Sequence, residues 1–173
     1  MRKSIVAVAL VAALALGGCS AQTGAAAVVD GEPIATATLD RTTRELGQFF
    51  AVDARGLLPL FVLAPLYLEE AAAVGVATSR DEALGYLEQV NASRPDNQVD
   101  VSTFSDETLD LLRAVLVMDS LAAHEQGMEI SQRVTEHVGR LDVEVNPRYG
   151  QFDPATGSIA AWTPEWIAQP GTA

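Results

Sequence analysis

Beyond residue 3 the chain has no lysine, and among its 173 residues it has one cysteine and two histidines. A single thiol excludes an internal disulfide and the paired-cysteine sites of structural zinc. The histidines, His124 and His137, each sit beside a glutamate, but neither has the partner four positions away that a His-Glu-x-x-His site requires. No Gly-x-Ser-x-Gly elbow and no glycine-rich phosphate loop is present. Glu69 and Glu70 are adjacent, so a helix turns them to different sides and they do not form an acid/base pair. The expectation is a protein that is not an enzyme, with no catalytic residues, no metal site and no cofactor. Positive charge is also scarce: 11 Lys and Arg face 23 Asp and Glu, a net of −12. Nucleic acid, which demands clustered cations, is excluded as a partner. The two longest apolar runs, residues 5–16 and 57–68, have twelve residues each, short of the roughly 20 that span a bilayer.

What is present begins at the N-terminus, "MRKSIVAVALVAALALGGC". Arg2 and Lys3 precede a greasy run of signal-peptide length, and small residues then lead into Cys19. This resembles the bacterial lipobox, in which the cysteine thiol receives a diacylglycerol and the chain is cut just before it. The thiolate is the soft nucleophile such a thioether needs, and Gly17 and Gly18 leave room for a peptidase. An incidental cysteine after an ordinary signal peptide would not account for all these features falling in register. The reading predicts lipidation at Cys19 and a protein held at the extracytoplasmic face of the cell membrane by its lipid anchor. Loss of residues 1–18 leaves nine arginines against 23 acids, a net of −14. An anionic membrane surface repels such a chain, so the tether must be lipid.

Residues 19–26 read as a flexible tether, residues 27–153 as one domain, and residues 154–173 as a loosely ordered tail containing Trp162 and Trp166. Val28-Val29, Asp30-Gly31 and Glu32-Pro33-Ile34 predict a tight hairpin with Pro33 on an edge strand. Thr36 or Thr38 is expected to cap a first helix with Asp40 in its first turn, burying Leu39, Thr43, Leu46 and Phe50. The run 57–68 predicts a second helix that Pro65 kinks or restarts. Gly75 is expected to end it, and Ser79 with Glu82 to form a capping box for the next helix, whose apolar face is Ala83, Tyr86, Leu87 and Val90. Ser105 is expected to cap the longest helix and Gly127 to stop it. Ile130, Val134, Val138 and Leu141 align on a last helix, and "DVEVNPRYGQFD" reads as a strand closed by Asn146-Pro147. The fold class is mainly α: four to five helices, with a small β-sheet joining the N- and C-terminal ends of one domain.

"AAVVDGEPIATATLD" and "LYLEEAAAVGVATSRDEAL" resemble the N-terminal domain of the SurA and PrsA-type foldases. "VEVNPRYGQFD" is similar to the closing strand of short actinobacterial lipoproteins of this type. The resemblance covers most of residues 27–153 and implies chaperone activity toward unfolded or exported proteins. It does not extend to the parvulin domain of many relatives, for which there is no room, so prolyl isomerase activity is not expected. On this reading Leu60, Phe61, Leu63 and Tyr67 would line a client-binding groove, with Tyr149 and Phe152 as a second aromatic surface. The same residues could equally be core. A structural or accessory envelope lipoprotein with one specific protein partner is the alternative.

Overall fold

A computed structural model describes residues 23–161. The first strands, β1 (Ala25–Val29) and β2 (Glu32–Ala35), pair antiparallel around Asp30-Gly31. Both turn residues have positive φ, 49° and 87°, as an Asp-Gly type I′ turn requires. A later strand, β3 (Val143–Val145), pairs with the other side of β1, giving the order β2-β1-β3. Pro33 therefore lies on an edge, where its missing amide costs no ladder bond. The join between the two ends is reinforced at Asp30: its amide donates to the Asp142 carbonyl and its carboxylate accepts from the Asp142 amide, both at 2.8 Å.

Among the described residues, five α-helices with a short 3-10 turn and two further strands make up the rest of the architecture, which is mainly helical with little sheet, as the sequence predicts. The helices are α1 (Thr36–Leu46), α2 (Ala54–Ala73), α3 (Arg80–Ala92), α4 (Asp106–Ala122) and α5 (Gly127–Val138). Neither threonine caps α1. β2 runs directly into it, Ala35 occupies the cap position without a side-chain bond, and no acid lies in the first turn. The Thr36 amide is satisfied instead by the Gly24 carbonyl at 2.8 Å. The buried face is Leu39, Thr42 and Leu46; Thr43 turns its hydroxyl back to the Leu39 carbonyl at 2.7 Å, and Phe50 lies beyond the helix end.

α2 runs through Pro59 and Pro65 without a break, so of the kink or restart expected at Pro65 the restart does not occur. Each proline removes one backbone bond, but packing against α1, α4, α5, β1 and the late strand Ser158–Ala160 holds the helix from several sides. That surrounding explains an apolar sequence with no clear polar stripe. By length and composition α2 would cross a membrane; here Leu57, Leu58, Val62, Ala64, Leu66 and Ala71 are buried within the domain. Asp53 caps it, its Oδ1 accepting from the Gly56 amide at 2.8 Å.

The capping box at α3 forms as expected: the Ser79 amide donates to Glu82 Oε2 at 2.6 Å, and the Glu82 amide donates to Ser79 Oγ at 3.2 Å. The Ser79 amide first, and its hydroxyl second, hold the Glu82 carboxyl below the usual range. α4 is capped differently. Ser105 stands at the cap position, but its side chain caps no backbone amide of the helix; its hydroxyl lies 2.9 Å from Thr108 Oγ1 instead. Glu45 of α1 reaches across and accepts from the Ser105 amide at 3.1 Å and hydroxyl at 2.8 Å. Beneath it the wholly buried Thr108 donates to the equally buried Thr42 at 3.0 Å. Gly127 does not stop α4, which ends at Ala122; it opens α5. Its lack of a side chain serves packing, since a Cβ there would collide with the Leu121 carbonyl oxygen.

The core divides into three clusters. The first joins β1, α1, the N-terminal half of α2 and α4 around Leu39, Leu58 and Leu111; the second joins α2, α4 and α5 around Val117, Leu121 and Ile130. The third joins α3 and α4 around Leu87, Leu112 and Phe104. The segment expected to be a loose tail begins differently: Ser158–Ala160 forms a strand, β5, paired with β4 (Gln151–Asp153). Cys19, Trp162 and Trp166 lie outside the described residues.

Candidate binding groove

Where the first and third clusters meet, side chains do not fill the space between α2 and α4. Residues Leu111, Val115 and Asp119 recur every fourth position along α4, with Leu112 and Leu116 on the adjoining row, so they form one wall. Leu57 and Leu60 of α2 form the facing wall, Leu46, Phe50 and Val52 close one end, and Tyr86 of α3 stands at the rim, 38% exposed. The cavity is about 230 Å³ and almost wholly apolar. A shallower depression lined by Ala51, Asp53 and Gly56 adjoins it, sharing Phe50, Val52, Leu57 and Leu60.

Three local devices hold these walls. The loop after α1 splits two neighbouring phenylalanines: Phe50 goes to the groove, and Phe49 packs edge-on against Phe104, ring centres 6.0 Å apart. Arg94 pins that loop, its guanidinium 5.3 Å from the Phe49 ring centre and its Nη1 donating to the Gln48 carbonyl. On the other side, Arg80 makes a bidentate pair with Asp110, at 2.9 and 2.6 Å, and a second pair with Asp106 at 3.1 Å. Arg113 adds bonds to Asp110 at 2.8 Å and to the Thr78 carbonyl at 2.6 Å. These cations, Arg80 foremost, hold the Asp110 carboxyl below the ordinary carboxylate range against a smaller opposing effect of burial. The result fixes α3 against α4 and sets Tyr86 over the opening.

Of the side chains expected from sequence to bind clients, Leu60 lines this groove. Phe61 packs half-buried on the first cluster, and Leu63, Tyr67 and Phe152 half-buried on the second. Tyr149 is a correction. It is 5% exposed, within the first cluster, so it offers no surface. The turn after β3 folds back on α2, where Arg55 Nε donates to the Tyr149 carbonyl at 3.0 Å and Arg148 lies 4.6 Å from its ring centre. Phe50, Val52, Tyr86, Val115 and Leu116 were not singled out as binding residues. The available signal was α4 itself, apolar at Leu111, Leu112, Val115, Leu116 and Val117, more than one buried face requires.

A second hollow of about 400 Å³ lies beside β1 and β3, lined by Ala25, Val28, Glu144 and Asn146 among others. Asn146 there already donates from its side chain to the Ala25 carbonyl at 3.2 Å and from its amide to the Ala26 carbonyl at 2.9 Å. Asn146 thus serves the sheet, and the α2–α4 groove, with its nearly all-apolar lining, is the better site for an apolar ligand. No family model matches the chain, and comparison with curated proteins and with solved structures finds no match.

Proposed function

We propose that this chain is a membrane-anchored, extracytoplasmic chaperone-like lipoprotein that holds apolar segments of unfolded or exported polypeptides, without prolyl isomerase activity. The observation that carries the reading is the open apolar groove between α2 and α4, with Leu60 on one wall, Val115 and Leu116 on the other and Tyr86 at the mouth. Such a surface recognises buried area and not a set of hydrogen bonds, which suits clients of varied sequence. Burying one anchor side chain contributes about 1.5–3 kcal/mol, less than the roughly 4 kcal/mol of a millimolar complex. Weak capture is what a holding function needs, and the lipid anchor at Cys19 would raise the local concentration of sites at the membrane.

The test is light scattering of several chemically denatured proteins diluted into buffer with and without the protein. Suppressed aggregation of most clients is the expected result. Suppression of none would overturn the reading, and activity toward one client alone would favour an accessory lipoprotein with a dedicated partner.

A further inference from the structure

Resting on that reading, we propose that the groove selects segments in which a large apolar anchor is flanked by arginine or lysine. The apolar cavity of about 230 Å³ has room for one or two anchor side chains, and the open depression of about 560 Å³ beside it for the residues that flank them. Its walls supply no hydrogen-bonding set for a polar ligand. Every charged group lining the groove or the adjoining depression is a carboxylate, Asp119 in one and Asp53 in the other.

Of the two acids of α4 that pair with no cation among the described residues, Glu107 and Asp119, Asp119 is the one that lines the groove. Asp106 and Asp110 are paired with Arg80, and Asp110 with Arg113 as well. Asp119 lies further along α4 beyond Val115 and Leu116, exposed, and pairs with no cation among the described residues. A cation placed beside a buried anchor would meet it. A second copy of this chain is the disfavoured occupant, since a net charge of −12 makes two copies repel. The same field attracts cationic segments and repels acidic ones, so charge sets both encounter and choice.

The experiment is fluorescence anisotropy with the full chain in phosphatidylcholine nanodiscs, empty discs serving as control. Three labelled peptides share one tryptophan anchor, flanked by arginine, glutamine or glutamate. The arginine peptide is expected to bind tighter than the glutamine peptide by about two- to fivefold, with the glutamate peptide weakest. Half-molar salt and Asp119→Asn should each shrink that spread, and Tyr86→Ala should weaken all three peptides. Equal affinities, unmoved by Asp119→Asn, would overturn the selectivity while leaving polypeptide capture intact. Client aggregation suppressed without peptide binding would overturn this proposal alone. Absence of both activities would overturn it together with the function it rests on, and concentration-dependent dimers in place of peptide binding would assign the groove to a second copy.

Discussion

Glu45 belongs to α1 but completes α4. By accepting from the Ser105 amide and hydroxyl, it satisfies a terminal donor and places negative charge at the positive end of the helix. Glu45→Ala should lower stability by about 1–2 kcal/mol in urea denaturation, and Ser105→Ala should cost less when added to it than alone, because the two share the hydroxyl–carboxylate bond while the contact of Ser105 with Thr108 is lost only with the serine. The ring of Arg80, Asp110 and Arg113 has a pH signature. Asp110, Glu82 and Asp153 all have carboxyls held below their ordinary range, Asp110 by Arg80 foremost, Glu82 by the Ser79 amide and Asp153 by the Thr156 hydroxyl. Their contribution is therefore fully present above the unfolded value near pH 4 and is lost as pH falls through the lower folded values. Asp110→Asn should be less stable than wild type at pH 7, by under about 1 kcal/mol given solvent screening at a side chain 37% exposed. The difference should narrow below about pH 4, measured as melting temperature against pH. The capping box at Ser79 and Glu82 is legible in four consecutive residues, whereas the Glu45–Ser105 bond joins positions 60 apart and no local pattern announces it.

Helices stop, start and continue here for reasons of contact more than of propensity. Two glycines separate the influences. Gly85 of α3 is exposed with nothing near an added Cβ, so Gly85→Ala should gain about 0.5–1 kcal/mol from helix propensity. Gly127 is pressed against the Leu121 carbonyl, so Gly127→Ala should lose about 1–3 kcal/mol by overpacking; thermal melts of both variants give the comparison. From sequence, Gly127 reads as the end of one helix; the close approach that makes it the start of the next is a tertiary fact. α2 teaches the same lesson. Prolines predict a break, but neighbours on several sides stabilise the helix beyond what two missing bonds remove. The first hairpin, by contrast, is legible in Asp30-Gly31 and Pro33, and α1 and α5 in their apolar periodicity. The groove was only partly legible, because Leu60 comes from a run that looks uniformly greasy and its partners Val115, Leu116 and Tyr86 arrive from two other helices.

For the molecule as a whole, the account combines a lipid tether, an acidic shell and one oily opening. The tether predicts that Cys19→Ser moves the protein from the membrane fraction to the soluble or precursor pool, read by fractionation; unchanged membrane retention of the variant, or an unmodified Cys19 thiol in the wild-type protein by mass spectrometry, would contradict lipidation. The acidic shell, with 23 carboxylates in the whole chain, opposes the pairing of copies through an exposed apolar groove. What decides the account is whether polypeptide enters between α2 and α4. Amide chemical-shift mapping by nuclear magnetic resonance, during titration with a peptide bearing one apolar anchor and a flanking arginine, tests this most directly. The account predicts saturable shifts concentrated at Leu60, Tyr86, Val115, Leu116 and Asp119. Shifts confined to the β1–β3 hollow, or none at peptide excess, would contradict it.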